Sequence, residues 1–329
     1  MPVANHPGTA PSHLIELLGL RPGRDASCIG GMTRIAIIGP GAIGGVMAAW
    51  LQQTGRYEVS ICARRPFEEL RVDSPRGLLV SRPVVHTAPS TTAPVDWILI
   101  ATKAYDAAGA AVWLDGLTGP DTRVAVLQNG VEHCERFAAW LPAERILPVM
   151  VDVPAERTDP GVIRQRAPGR MIVPDDPAGR AFVALFAGTI IDVSVTADFR
   201  SAVWRKLSLN SAGVLNALLL QPAGIFQNDA VAELARAIVR ECLHVGRAEG
   251  AVLGDSMPDE VVQAYRKGPA DAVNSMHADR AAGRPMEIDA RNGVIVRLGR
   301  RHGIPTPCNQ MAVTLLKVLG TPPPATLRG

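Results

Sequence analysis

Two groups of residues, far apart in the chain, have the types and the spacing for chemistry. The first is Gly39-Pro40-Gly41-Ala42-Ile43-Gly44, a Gly-x-Gly-x-x-Gly turn. In such a turn the first glycine makes the bend. The second lets a pyrophosphate approach the backbone, and the third lets a helix pack close to a strand. The N–H groups of Ala42, Ile43 and Gly44, at the helix start, then face the phosphates. The second group is Trp204-Arg205-Lys206-Leu207-Ser208-Leu209-Asn210, where Lys206 and Asn210 stand four residues apart and share one helix face. A lysine desolvated by burial holds its proton less tightly and becomes a usable general acid. A dinucleotide turn combined with a positioned acid points to a nicotinamide enzyme rather than a passive nucleotide binder.

Further polar positions fall where a site would need them. Thr102-Lys103-Ala104 and Gln128-Asn129-Gly130 each follow an apolar run, at the carboxyl ends of strands where open α/β sheets bind ligands. Lys103 suits an anionic substrate or a phosphate, and Asn129 suits a nicotinamide or a substrate. Taken singly, both also suit an ordinary strand end and an Asn-Gly turn. Downstream, Ser275 and Asp279 are again four apart. Glu287-Ile288-Asp289 precedes Asn292-Gly293, and Glu287 would also complement a helix dipole. After the second strand comes Cys62-Ala63-Arg64-Arg65, with no acid until Glu68. An acid there would take the ribose 2′-hydroxyl of NAD, whereas an arginine takes a 2′-phosphate, so Arg64 points to NADP.

The elements that must position these groups follow from pattern. Residues 35–38 read as a buried parallel strand, 43–54 as a helix ended by Gly55, and 59–62 as a second strand, together one βαβ unit. Residues 97–101 and 124–127 read as further buried strands, and 146–153 and 162–173 as an outer, partly antiparallel set. From about residue 197 the pattern turns helical, over 203–220, 229–250, 259–267, 287–301 and 308–319. The apolar stretch 212–226 reads as a buried helix. The fold class expected is α/β: an N-terminal Rossmann doubly wound parallel sheet over 33–197 that binds NADP, plus a C-terminal all-helical domain over 198–320 that carries substrate and catalytic groups. A hinge is expected near 195–203. Residues 1–32, with several prolines and glycines, read as a disordered extension, and 321–329 as a disordered tail.

Composition narrows the function class. A chain of 329 residues has room for two domains. With 47% hydrophobic but only 4% aromatic residues, the core must be mostly Ala, Val, Leu and Ile, which suits helices on a parallel sheet. A net charge of +3 without a Lys/Arg cluster argues against nucleic acid. Five cysteines without a Cys-x-x-Cys pair, and seven histidines without ligand spacing, argue against disulfides and metal. No apolar run reaches about 18 residues, so neither a span nor a membrane partner is expected, and a cytoplasmic location is.

Taken in order, these pieces resemble the ketopantoate reductase (2-dehydropantoate 2-reductase) family. The matching run is Gly39-x-Gly41-x-x-Gly44, Lys103-Ala104, Asn129-Gly130, Trp204-Arg205-Lys206-Leu207-x-x-Asn210, Ser275-Met276-x-x-Asp279 and Glu287-Ile288-Asp289-x-x-Asn292-Gly293. The resemblance implies NADPH-dependent reduction of 2-dehydropantoate to pantoate, as in pantothenate biosynthesis, by a monomer or homodimer. It implies Lys206 as general acid and Glu287 as the second catalytic residue, supporting the nicotinamide ribose and the substrate region. Asn129, Asn210 and Ser275 would bind substrate or place the nicotinamide, Lys103 would assist substrate or cofactor, and Arg64 would meet the 2′-phosphate. One departure stands out. The family's second asparagine, four after the first, helps hold the substrate hydroxyl, and here that position is Val214, with Asn216 the nearest asparagine. A related reductase for a different, more apolar 2-oxo acid is therefore the first alternative. A non-catalytic NADP-binding redox sensor is the second. An opine- or hydroxyacid-dehydrogenase relative, which would need a catalytic histidine in a motif, ranks below both.

Overall fold

Alternation along the first strand, β1 (Thr33–Ile38), decides the layering. Ile35 and Ile37 enter one apolar cluster while Ala36 and Ile38 enter another, and all four are fully buried. A strand covered on both faces reads as a continuous apolar run and needs a layer on each side. The computed structural model describes residues 32–320, so the expectations for the leading segment and for 321–329 lie outside the described residues.

After β1 the chain forms α1 (Ala42–Gln53), β2 (Tyr57–Cys62), β3 (Leu70–Ser74), β4 (Gly77–Ser81), β5 (Val84–His86) and β6 (Val95–Ile100). Two short helices follow, α2 (Ala107–Ala111) and α3 (Leu114–Leu117), then β7 (Thr118–Val126), β8 (Ile146–Pro148), β9 (Met150–Asp152), β10 (Ala155–Asp159), β11 (Val162–Gln165) and β12 (Gly169–Pro174). The region closes with α4 (Pro177–Leu185) and β13 (Ile191–Thr196). Six strands form one all-parallel sheet in the order β5-β2-β1-β6-β7-β8. From β1 the chain goes to β2 on one side and later to β6 on the other, so the order reverses between β1 and β6. A crevice opens at the carboxyl ends there, and that is where such sheets bind ligands.

The outer strands behave less simply than the sequence suggests. The expected run 146–153 is β8 in the parallel sheet and β9 in a second sheet, β13-β12-β9, with the change at Val149. The expected run 162–173 likewise divides between β11, in the sheet β10-β11-β3-β4, and β12. Here β11 pairs β10 antiparallel and β3 parallel, so this set is mixed.

The rest of the described chain is helical: α5 (Phe199–Ala212), α6 (Val214–Leu219), α7 (Asp229–Ala248), α8 (Met257–Lys267), α9 (Ser275–Ala281), α10 (Val294–Arg301) and α11 (Pro307–Leu319). They share a core that includes Trp204, Phe226, Ile295 and Leu316. Each such side chain, fully buried, contributes roughly 1.5–3 kcal/mol of transfer free energy. The Asp198 carboxylate accepts from Ser201 N–H at 3.0 Å and caps α5, which therefore starts before the expected residue 203.

Two helix expectations need correction. The stretch 212–226 is not one buried helix. It breaks after Gly213, where a Cβ would lie 2.7 Å from the Tyr265 hydroxyl, and ends at Leu220, which adopts φ +50° before Pro222. The helix expected over 287–301 opens instead with a π-turn, Asp289–Gly293, before α10 begins. That wider turn carries Arg291 and Asn292, both buried, and Asn292 is fixed by Ser211 O and Asn309 Oδ1.

Candidate active site

The glycine turn follows β1. Gly39 takes φ +90°, and a Cβ there would meet Thr102 Cγ2 at 2.7 Å and its backbone N at 2.9 Å. A Cβ on Gly44 would lie 2.2 Å from Gly39 O, so the helix could not seat against the turn. At Gly41 nothing lies within 4 Å of where a Cβ would begin. That open space is what a pyrophosphate needs to reach the backbone. The start of α1 has no side-chain cap and no acid in its first turn, so neither competes for that end of the helix. The residues present thus fit a dinucleotide phosphate at Gly41, Ala42 and Ile43. Arg64, just past β2, has a side chain 89% exposed and forms a long ion pair with Asp106 at 3.8 Å.

A buried carboxylate organises the opposite wall. Glu287 is 4% exposed. Its Oε1 accepts the Ala104 N–H at 2.9 Å. Its Oε2 accepts Asn129 Nδ2 at 2.9 Å and Lys103 Nζ at 3.4 Å. Lys103 Nζ donates more closely to Asp279 Oδ2, at 2.7 Å, and Arg284 Nε donates to Asp279 Oδ1 at 2.9 Å. Burial alone would push the Glu287 carboxyl up. Lys103 and Arg291, with the Ala104 and Asn129 donors, outweigh it and hold the pKa below the ordinary value. Burial opposes the charge on Lys103, but Glu287 and Asp279 outweigh it and raise its pKa.

Asn129 connects this hub to a small cleft lined by Gln128, Asn129, His133, Met150, Lys206 and Asn210, among others. Lys206 and Asn210 thus share the cleft-facing side of α5, as their spacing predicts. Lys206 is half-buried and forms an ion pair with Asp152, at the end of β9. It is held by a carboxylate rather than isolated in apolar surroundings, which differs from the simple desolvated lysine expected. Arg136 braces the loop after β7, donating to Gln128 Oε1 at 2.8 Å and Asn129 O at 3.2 Å. Burial, helped by the Arg136 charge, pushes His133 down to about 4, so this histidine is a neutral structural group at ordinary pH.

Ser275 does not line that cleft. It is exposed at the start of α9, and its Oγ accepts Arg291 Nη2 at 2.9 Å. Val214 is buried in the helical core and does not line the cleft, and Asn216 does not replace the missing asparagine. Its Nδ2 donates to Gln221 O at 3.0 Å and its Oδ1 accepts from Asn274. Sequence reasoning missed Asp152, which lies on a three-residue strand with no periodic signal. It also missed Arg291, although Glu287 and Arg291 have the i,i+4 spacing of an ion pair. Among the described residues no helix is long and apolar enough to cross a membrane.

Known proteins resemble the chain over most of its length. Residues 35–177 match the family described as Ketopantoate reductase PanE/ApbA, and residues 198–320 match Ketopantoate reductase PanE/ApbA C terminal. A 2-dehydropantoate 2-reductase of Caulobacter vibrioides is 55% identical over 285 residues, covering 87% of this chain and 98% of that protein. One from Mycobacterium tuberculosis is 43% identical over 287 residues, covering 86% of this chain and 97% of that one. The crystal structure of 2-dehydropantoate 2-reductase from Geobacter metallireducens superposes with a TM-score of 0.81 at 30% identity, over 87% of this chain and 99% of that one.

Proposed function

Because the chain belongs to the ketopantoate reductase family of oxidoreductases, we propose that it reduces 2-dehydropantoate to pantoate with NADPH, with Lys206 as the general acid. The observation that carries this reading is the shared cleft: Lys206, Asn210 and Asn129 meet beside the carboxyl ends of the parallel strands. When bound, NADPH would supply a hydride to the ketone carbon. Negative charge then grows on the ketone oxygen, and Lys206 Nζ stabilises it and delivers the proton that completes the alcohol. Asp152 fixes the ammonium, which limits the positions from which that proton is given. Asn129 and Asn210 orient the substrate. Glu287 acts as a support, since both its oxygens already hold Ala104, Asn129 and Lys103. Gly39, Gly41, Ala42, Ile43 and Gly44 cradle the pyrophosphate, and Arg64 meets the 2′-phosphate. The reading takes residues 33–197 as the cofactor-binding part and 198–320 as the substrate and catalytic part.

A second reading, reduction of a different 2-oxo acid, is favoured by one observation: Val214 is core, and Asn216 is occupied elsewhere. The test is NADPH oxidation followed by absorbance, with 2-dehydropantoate beside a panel of other 2-oxo acids. A selective 2-dehydropantoate rate supports the first reading. A faster rate on another acid replaces it with the second. No rate on any acid, with NADPH still bound tightly, overturns both in favour of a non-catalytic sensor.

A further inference from the structure

Among the described residues that line the small cleft, Lys206 is the one ionised side chain, since His133 stays neutral at ordinary pH. Its counter-ion comes from outside that lining. Asp152 is exposed at the end of β9, and among the described residues it is the one ion-pair partner of Lys206. The relation is reciprocal, because the Asp152 carboxylate accepts from no other side chain among them and the ammonium donates to no other group. A pair this exclusive, beside a cleft with no other charge, has a narrower purpose than a solvated surface bridge.

The placement is built into the backbone. The chain leaves the parallel sheet at Val149, so β9 runs in the second sheet and lies against α5. Met150 joins the helical core with Val203 and Leu207. Side chains two apart on a strand share a face, so Asp152 follows Met150 onto the side that meets α5. Val203 and Lys206 are three apart on that helix and share its face, which brings the ammonium to the carboxylate. A lysine stem is flexible, and a carboxylate fixed on a strand confines its end. An ammonium carries three N–H donors. Asp152 takes one, and two remain for a ketone oxygen.

We propose that Asp152 is the positioning residue of Lys206, acting only by holding the ammonium where its free N–H groups reach the ketone oxygen; this deepens the reductase reading above and rests on it. No bond changes at Asp152. The proton that completes the alcohol leaves Lys206 Nζ, and the neutral amine regains one from solvent while the carboxylate stays charged. A group that only aims a proton donor matters more in the transition state than in the ground state, so its removal falls on kcat rather than on KM.

The test compares the wild-type full chain with Asp152→Asn, Asp152→Glu, Lys206→Ala and the double variant Asp152→Asn/Lys206→Ala. Steady-state rates are measured with NADPH and whichever 2-oxo acid turns over fastest, NADPH affinity by calorimetry, and folding by thermal melting. For Asp152→Asn, kcat should fall about 10- to 100-fold, as for a misplaced reacting group, while KM and NADPH affinity stay within about twofold. Asp152→Glu keeps the charge and should bring kcat back to within about fivefold of wild type. In the double variant kcat should equal that of Lys206→Ala, because a residue that acts through the lysine then has nothing to act on. The exposed Asp152 should be replaceable with the fold intact. An unchanged kcat in Asp152→Asn, a loss carried by KM, or a Glu variant no better than the Asn variant overturns the proposal. So does a variant that no longer folds, since the role is then structural. Lys206→Ala with wild-type turnover sinks the general-acid reading and takes Asp152 with it. A loss in Lys206→Ala to which Asp152→Asn adds its full factor sinks Asp152 alone.

Discussion

Replacing Glu287 by Gln keeps the side chain's shape and removes its charge, and the local geometry sets the size of the loss. Oε1 accepts the Ala104 N–H at 2.9 Å, and Oε2 accepts Asn129 Nδ2 at 2.9 Å and Lys103 Nζ at 3.4 Å. A glutamine has one oxygen and one NH2. Whichever way it turns, the NH2 meets a donor: the Ala104 N–H on one side, or Asn129 and Lys103 on the other. A lost hydrogen bond to a charged group costs about 1.5–3 kcal/mol. Glu287 also attracts the buried Arg291 through space, without a direct ion pair, so losing its charge removes a smaller share there. The two overlap and are not added, and the Lys103 share is discounted because that side chain is 38% exposed. A net destabilisation of about 2–3 kcal/mol remains.

For a chain of this size that corresponds to a Tm lower by on the order of 10 °C. Calorimetry at pH 7 measures it, and a shift under about 2 °C would refute the hub. The pH dependence gives an independent check. The folded pKa of Glu287 lies below its ordinary value of 4.5, so its stabilisation is complete above the unfolded value and is lost as pH falls through the folded one. The Tm gap between wild type and Glu287→Gln should therefore be widest near neutrality and close in acid. A gap that stays constant from pH 7 down to about 3 would contradict the assigned charge.

Three further perturbations probe the remaining parts. Lys206→Ala should lower turnover by about 10²- to 10⁴-fold, the range for a general acid. NADPH affinity and Tm should barely move, because Lys206 contributes only one half-exposed ion pair; retained turnover would remove the lysine from the mechanism. Arg64→Ala should raise the KM for NADPH about 10- to 100-fold, one charge-assisted contact, while leaving that for NADH unchanged; equal effects on both cofactors would deny it the 2′-phosphate. Gly44→Ala puts a Cβ 2.2 Å from a backbone oxygen and should lower both Tm and NADPH binding. Gly41→Ala meets nothing within 4 Å, so it should weaken NADPH binding with the fold intact.

The features legible in the sequence are those that local sterics and short spacing encode. Gly39 and Gly44 announce themselves because no other residue fits against Thr102 and Gly39 O. Lys206 and Asn210 fall on one face because the helix period puts them there. The apolar run of β1 reads as central because both its faces are covered. The breaks are less visible. Nothing within residues 212–226 reveals that the Tyr265 hydroxyl and Asn274 will press on Gly213, since these contacts come from α8 and the cap of α9. The π-turn at 289–293 leaves the apolar pattern of Ile288, Ile295 and Leu298 intact while turning Arg291 inward.

The charge hub is hidden for a stronger reason. Lys103 meets Asp279 across 176 residues and Glu287 across 184, and Lys206 meets Asp152 across 54. Before folding, each of these side chains is indistinguishable from a solvated surface charge, and no periodicity links them. Burial gives them their roles. Glu287 becomes an organising group because Ala104, Asn129 and Lys103 arrive from the carboxyl ends of β6 and β7. Those same contacts leave it little capacity to hold a ribose, the role implied by resemblance alone. A family motif can thus identify a residue that matters while leaving open which atoms it holds, and the groups that complete the site come from segments that no motif contains.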